Sequence, residues 1–186
     1  KVAAIGRPEF QASKFYEKAI YAAGFPFMRK KMYRKAIPIF NRVIKKNDPG
    51  NEYYEQALWR LHWCHYHLRE YREVIDKLEK MKNLDKWEDY SLYWMAYTLK
   101  KKAGSETDVA IAEQDRQSRR EILKQLLNRF GLTYYGYLAR QDLEAEGENS
   151  KEYMSEPEDF VPLKVGLIEN EARNRRYKAL VENGLF

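Results

Sequence analysis

The chain has 186 residues, 33% of them charged and 44% hydrophobic, and a formal net charge of +6. A chain of this length can bury a sizeable core as one domain, while its apolar runs stay below the roughly 18 residues that span a membrane. The single cysteine, Cys64, excludes an internal disulfide and says little about the compartment.

Proline and glycine residues divide the chain into a series of helices. Aromatic and aliphatic residues recur at helical spacing and strand signals are weak, so the pattern predicts an all-α fold. Breaks at residues 24–26, 48–50, 103–105 and 156–157 leave room for helices of about 12 to 18 residues. The predicted elements are helix pairs at about residues 12–50, 53–83 and 89–130, a closing helix at 132–145, an acidic linker at 146–160 and the start of a further pair at 161–186.

The first two helix pairs align as copies of one unit. Residues 33–37 (YRKAI) match residues 71–75 (YREVI), and the helix before each segment matches as well. The alignment places Gly24, His62 and Ala96 at one position and Ile20, Leu58 and Leu92 at another. A repeat of this kind predicts units that stack on their neighbours to bury two apolar faces each.

The first copy resembles the tetratricopeptide repeat, whose period is 34 residues. The small residue, turn aromatic, second small residue and closing proline of that repeat have counterparts in Gly24, Tyr33, Ala36 and Pro49. The second copy departs from the pattern at His62 and Val74, and in the third a polar insert at 104–117 precedes a second helix at about 118–130. The resemblance implies an α-solenoid of antiparallel helix pairs, a right-handed superhelix whose concave face comes mostly from the first helix of each pair.

An aromatic segment at residues 129–140 (RFGLTYYGYLAR) follows the third copy. Its Gly136 stands in a helical run, where glycine costs about 1 kcal/mol relative to alanine, and close approach of another helix is the usual reason. The run Tyr134-Tyr135-Gly136, continued by Leu138 and Ala139, resembles the segment that closes the superhelical region of soluble lytic murein transglycosylases. The resemblance makes Gly136, Leu138 and Ala139 packing residues that mark the family.

The likeness extends over about residues 14–186, since the LYWMA segment at 92–96 and the apolar residues near the chain end also fit. It implies a periplasmic or exported protein of the bacterial cell envelope. Its parent enzyme would cleave peptidoglycan between N-acetylmuramic acid and N-acetylglucosamine without adding water, leaving 1,6-anhydromuramic ends. In that family one glutamate, normally followed by serine, performs the reaction in a lysozyme-like domain C-terminal to the superhelix.

No catalytic residue of that kind is recognisable in this segment. Glu156 is followed by Pro157, and no glycine-rich segment comes after it. We therefore expect a non-catalytic scaffold without cofactor or metal ion, which forms one piece of a longer protein. No signal peptide is visible in the segment. The expected partners are peptidoglycan glycan strands and the missing catalytic domain.

Candidate contact residues lie around the aromatic segment. Tyr134 and Tyr135 could stack on sugars, while Arg116, Arg119 and Arg120 could supply a polar edge or a contact to another domain. Because some of the tyrosines are spaced as core residues, packing is an alternative role for them. An alternative function for the whole chain is a tetratricopeptide adaptor that binds a protein or peptide in its concave groove.

Three other patterns favour structural roles. The histidines and cysteine at 62–67 (HWCHYH) place two pairs of ligand types on different sides of a helix, so this helix alone cannot close a four-coordinate metal site. Eight basic residues at 29–46 alternate with a buried stripe, which indicates a solvated face rather than a nucleic-acid site. The carboxylates at 141–160 indicate a solvated helix end and loop rather than a catalytic pair.

Overall fold

The computed structural model describes residues 16–49 and 51–154, which belong to one unit of the chain. Every regular element within these residues is helical, so the all-α prediction is confirmed for them. The predictions for the start of the first pair at 12–15, for the linker at 155–160 and for a further pair at 161–186 lie outside the described residues.

The first pair contains a broken helix followed by a continuous one. Helix α1 spans Tyr16–Ala23, α2 spans Phe25–Arg29 and α3 spans Tyr33–Lys46. Gly24 separates α1 from α2, and a Cβ atom added to it would lie 2.3 Å from the Cζ atom of Phe40 in α3. The small residue at this position therefore lets α1 and α3 approach closely.

The remaining α-helices follow at short intervals along the chain. They are α4 (Glu52–His67), α5 (Tyr71–Lys82), α6 (Glu88–Ser105), α7 (Val109–Phe130) and α8 (Tyr134–Ala145). Short 3₁₀ turns lie at Asp85–Trp87, before α6, and at Ser150–Tyr153, after α8. The Asn51 side chain begins α4 by accepting a hydrogen bond from the backbone N–H of Tyr53 at 2.8 Å.

Helix α7 begins earlier than the sequence pattern indicates. The polar insert predicted at 104–117 is largely helical, because α6 extends into it and α7 starts at Val109. The Asp108 side chain caps α7 by accepting hydrogen bonds from two backbone N–H groups, at 2.8 and 3.2 Å. Lys102 of α6 donates to both carboxylate oxygens of Asp115 at 2.7 Å, so this polar stretch packs through a partly buried ion pair.

The first two pairs share the same helix-ending turn. Lys31 and Arg69 have φ angles of 55° and 58°, which are uncommon for residues other than glycine. They are 38 residues apart, which is the offset of the sequence alignment. The N–H of the residue after each one bonds to the carbonyl five residues earlier, at 2.8 Å after Lys31 and 3.0 Å after Arg69. This Schellman-type arrangement repeats the same backbone geometry in both copies.

Each helix packs on its neighbours in the chain. Successive helices from α3 to α8 contact one another, α1 also contacts α3 and α4, and α6 also contacts α8. Three hydrophobic clusters result, joining α1, α3 and α4, then α4, α5 and α6, then α6, α7 and α8. The two aligned sets are buried in every copy: Ile20, Leu58 and Leu92, and Gly24, His62 and Ala96.

Gly136 lies in the first turn of α8, whose span is close to the closing helix expected at 132–145, so the glycine stands at a helix start and not in a helix interior. Helix α7 ends at Phe130, and the Thr133 hydroxyl caps α8 by accepting a hydrogen bond from the N–H of Gly136 at 3.2 Å. A Cβ atom added to Gly136 would lie 1.9 Å from the carbonyl oxygen of Phe130. The close approach that the glycine permits is with the end of the preceding helix.

Candidate functional site

An aromatic band crosses α3, α4, α6 and α8. Its rings contact one another in succession from the first residue of α3 to the first residues of α8. The members of the aromatic band are Tyr33, His67, Trp63, Tyr66, Trp94, Tyr97, Tyr93, Tyr135 and Tyr134. Because the first helices of two successive pairs, α4 and α6, and the closing helix α8 supply most of these rings, the band joins consecutive units of the fold.

Ring contacts bridge the helices at each step of the band. Between α4 and α6, the ring centroids of Trp63 and Trp94 lie 4.9 Å apart in a T-shaped arrangement. Between α6 and α8, the rings of Tyr93 and Tyr135 lie 5.6 Å apart, and Tyr134 follows at 5.3 Å from Tyr135. Such aromatic pairs favour offset or edge-to-face geometry and fix each other's orientation.

The aromatic band reaches solvent along its length. Tyr134 is 51% exposed at the α8 end, and His67 is exposed near the α3 end. The α6 members Tyr93 and Tyr97 are half-buried, while Trp63, 9% exposed, anchors the band to the core. Half-buried rings with fixed neighbours present a preformed surface to a ligand.

Tyrosine hydroxyls give the aromatic band a neutral polar edge. Burial, helped by the nearby Asp142 carboxylate, raises the pKa of Tyr93 to about 12. Burial and a hydrogen bond with Tyr97 also raise the pKa of Tyr66. The Nζ atom of Lys101 lies 5.4 Å from the Tyr97 ring centroid and adds a cation beside the band. At neutral pH these hydroxyls therefore stay protonated and can both donate and accept hydrogen bonds.

Sequence reasoning identified only the α8 end of the aromatic band. A signal for the rest was present, because aromatic residues at 59, 63 and 66 recur 31 residues later at 90, 94 and 97. At two of these three positions the corresponding rings touch, since Trp63 contacts Trp94 and Tyr66 contacts Tyr97. In the core alignment, the corresponding residues His62 and Ala96 are 34 residues apart. The aromatic offset of 31 differs from this spacing by about one helical turn, so the core alignment did not reveal the aromatic repeat.

A basic cavity of about 410 Å³ lies between α6, α7 and the end of α8. The residues that line the basic cavity are Lys100, Ala103, Gly104, Arg116, Arg119, Arg120 and Glu146. On α6, Tyr93, Tyr97, Lys100 and Gly104 are spaced by three or four residues, so they follow one side of the helix. The aromatic band and the basic cavity thus succeed each other along α6.

Arg119 is the buried centre of the basic cavity. Its side chain is 3% exposed, and its Nη2 atom lies 2.9 Å from Oδ2 of Asp142. Its Nη1 atom pairs with the carboxylate of Glu146. Nearer the surface, the Glu113 carboxylate forms two ion pairs, at 3.0 Å with Nη1 of Arg116 and at 3.1 Å with Nη2 of Arg120. Ion pairs therefore hold three guanidinium groups around one cavity.

The residues predicted as contacts fall into two neighbouring places. Tyr134 and Tyr135 belong to the aromatic band, and the arginines Arg116, Arg119 and Arg120 line the basic cavity. The family-marker residues pack instead: Gly136 and Ala139 are buried, and Leu138 is half-buried. Asp142 connects the two places, because it pairs with Arg119 and acts on the Tyr93 hydroxyl.

The side chains of the HWCHYH segment take separate partners. The Nε2 atom of His62 lies 3.1 Å from the Tyr90 hydroxyl, and the Nδ1 atom of His65 lies 2.7 Å from the Glu70 carboxylate. His67 stacks on Tyr33 at 4.6 Å, and Cys64 is buried in the first core cluster. Among residues 16–49 and 51–154, no group of three or more such side chains is placed to hold a metal ion.

The two charged segments behave differently. The basic residues of the first segment, Arg29, Lys30, Lys31, Arg34, Lys35, Arg42, Lys45 and Lys46, are exposed, while Ala36 and Phe40 form the buried stripe between them. In the acidic segment, Asp142 and Glu146 pair with Arg119, and Glu148 pairs with Lys124 at 3.5 Å. These three carboxylates therefore hold α7 against α8 and the turn that follows it, instead of standing free in solvent.

The chain matches no protein family, no curated protein and no solved structure. Within the described residues, no helix has both the length and the apolar character that crossing a bilayer requires.

Proposed function

We propose that this chain is the non-catalytic scaffold of a peptidoglycan lytic transglycosylase. In this proposal a tetratricopeptide-like right-handed superhelix positions glycan strands for a catalytic domain that the segment does not contain. The observation that carries the proposal is the aromatic band, which offers ring surfaces and neutral hydroxyls from α4, α6 and α8. As the family resemblance implies, the protein would act in the bacterial periplasm or outside the cell.

Sugar rings suit a surface of this composition. A pyranose presents C–H groups on its face and hydroxyls on its rim, and tyrosine offers an apolar ring with a polar tip. Since neighbouring rings already restrain the half-buried members, binding costs little further side-chain entropy. Rings on consecutive helices would meet consecutive sugars of one strand.

Three features of the described residues support the superhelical arrangement. The same helix-ending turn recurs at Lys31 and Arg69, and the aligned positions are buried in each copy. Each helix also contacts its neighbours along the chain, as stacked repeats do. In such an arrangement the first helices of the pairs line the concave face, and α4 and α6 carry most of the aromatic band.

The exposed basic residues of α3 favour an acidic polymer as the ligand. The formal net charge is +6, and Arg34, Lys35 and Arg42 are exposed on α3. A surface of one sign raises the local concentration of an oppositely charged polymer and accelerates its association. Anionic cell-wall material meets this condition, whereas an uncharged glycan would depend on the aromatic band alone.

Co-sedimentation with purified cell-wall sacculi tests the proposal. We expect saturable binding of the 186-residue protein, and Tyr134→Ala should weaken it by about tenfold because an exposed aromatic anchor contributes over about 1 kcal/mol. Tyr137→Ala is the matched control, since Tyr137 is 52% exposed on the same helix and lies outside the aromatic band. Soluble glycan strands freed of peptides should bind too, and Tyr134→Ala should again bind more weakly than Tyr137→Ala.

Two results would contradict this proposal. One is that Tyr134→Ala and Tyr137→Ala bind sacculi as tightly as the unmodified protein. The other is a combination of two observations: high salt abolishes binding to sacculi, and the two variants weaken binding equally. Charge attraction would then be the sole cause of binding.

A tetratricopeptide adaptor for a protein or peptide is the second candidate. It is favoured by the same aromatic band, because aromatic-lined grooves also receive extended, proline-rich peptides. Binding of isolated peptides with no binding of peptide-free glycan strands would favour the adaptor. Binding of the strands alone would favour the glycan scaffold.

A further inference from the structure

The basic cavity has more cationic than anionic groups around it. Four cationic side chains line it, from Lys100, Arg116, Arg119 and Arg120, beside a single lining carboxylate, that of Glu146. Two further carboxylates contact these cations from nearby, Glu113 and Asp142. Glu148, which pairs with Lys124, also acts electrostatically on Arg120. Within the lining itself, the cationic groups therefore outnumber the carboxylates.

Each neighbouring carboxylate is shared between two cations. Glu113 receives both Arg116 and Arg120, at 3.0 and 3.1 Å. Asp142 receives Arg119 at 2.9 Å, while the Nζ atom of Lys100 stays 3.7 Å from it. A lysine ammonium at 3.7 Å is beyond ordinary hydrogen-bond length, so it keeps donors for another acceptor.

Arg119 holds a fixed positive charge at the wall of the basic cavity. Its side chain is 3% exposed, and its two Nη atoms pair with the carboxylates of Asp142 and Glu146. Charge-assisted pairs of this kind restrain the guanidinium group. The more exposed cations Lys100 and Arg116 are therefore the groups that can approach a ligand.

We propose that the basic cavity is a binding site for an oxyanion, either the carboxylate or the phosphate group of a small ligand. Guanidinium groups present paired N–H donors that match the oxygen atoms of both groups. The volume of about 410 Å³ falls within the range of small-molecule sites, which starts at about 300 Å³. The inference does not depend on glycan binding, because small anions test it directly.

An NMR titration tests the site with defined probes. Inorganic phosphate is added to ¹⁵N-labelled protein at constant ionic strength, and N-acetyl-dialanine is added in a second series with its C-terminal amide as the uncharged control. We expect saturable shifts at the residues that line the basic cavity. The amide should give none, and whichever anion saturates identifies the oxyanion class.

Variants of the exposed lining residues make the test specific. Lys100→Gln and Arg116→Gln should each weaken binding by about tenfold, the effect of losing one hydrogen bond to a charged group. Lys45→Gln, on the exposed face of α3, changes the net charge equally and should leave binding unchanged. Arg119→Lys keeps the positive charge but loses the paired N–H donors of the guanidinium group. It should weaken binding if the variant folds.

The proposal is overturned if neither anion saturates, or if the shifts fall mainly on the basic face of α3. It is also overturned if Lys45→Gln weakens binding as much as Lys100→Gln does. That outcome would show that general charge attraction holds the anion. Because Lys100 and Arg116 are largely exposed, with side chains 54% and 51% accessible, their variants decide the question even if Arg119→Lys does not fold.

Discussion

At the residue scale, His62 shows how a polar side chain can occupy a position that favours small residues. It aligns with Gly24 and Ala96, yet it is 1% exposed. Its ring lies among aromatic side chains, with Trp63 at 5.0 Å and Tyr90 at 5.8 Å between ring centroids. Burial lowers the pKa of His62 to about 3, so the folded protein holds it neutral.

We expect His62 to make stability depend on pH. In the unfolded chain, His62 is protonated below about pH 6.5. In the folded chain it stays neutral down to about pH 3. The unfolded state then binds more protons, so stability falls as pH falls, by about 1.4 kcal/mol per pH unit across this window. Urea unfolding at pH 7.5 and at pH 5 measures the loss.

His62→Gln should remove this pH dependence while keeping a polar side chain of similar size. The comparison concerns the slope between the two pH values, because the substitution can also change stability at every pH. His67→Gln is the comparison: burial also lowers the pKa of His67, but this ring is exposed on the same helix, so its substitution should remove a smaller part of the slope. An unchanged slope in His62→Gln would show that other groups cause the acid sensitivity.

At the element scale, the sequence predicted the helix pairs because their apolar stripes are strong and their breaks contain proline or glycine. One boundary was misplaced and one turn geometry was not foreseen, both for identifiable reasons. The segment after Gly104 reads as a polar insert, but Asp108 caps α7 and an ion pair holds its first half. The turns at Lys31 and Arg69 carry no glycine, so their shared left-handed geometry left no trace in composition.

We expect Gly136→Ala to destabilise the junction of α7 and α8. The added Cβ would lie 1.9 Å from the carbonyl oxygen of Phe130 and 2.9 Å from the Cα atom of Gly131. Because both contacts are with backbone, α8 must shift, and overpacking of this kind costs about 1–3 kcal/mol. Guanidinium unfolding measures the change.

Gly104→Ala provides the opposite control for that experiment. Gly104 lies in the last turn of α6, and a Cβ atom there would meet nothing within 4 Å. The alanine should stabilise the protein by up to about 1 kcal/mol through helix propensity. If Gly136→Ala were as stable as Gly104→Ala, the close approach to Phe130 would not matter for folding.

At the scale of the whole molecule, the site was harder to predict than the fold. The sequence pointed to Tyr134 and Tyr135 and to the arginines of α7, because these residues cluster along the chain. It could not show that Trp63 meets Trp94, since that contact depends on how far one pair rotates relative to the next. Nor could it assign Asp142 to Arg119, because several carboxylates near α8 compete for the same cation.

The sequential packing predicts how damage spreads through the molecule. Phe40 lies in the first core cluster and Leu127 in the last, and both are fully buried. In a stack of units that contact only their neighbours, local stability follows the nearest interfaces. Phe40→Ala, which costs about 3–5 kcal/mol, should therefore raise hydrogen exchange most in α1 to α4, while α7 and α8 stay protected. Leu127→Ala should instead raise hydrogen exchange most in α7 and α8, while α1 to α4 stay protected. An equal loss of protection in all helices of both variants would show that the molecule unfolds as one cooperative unit.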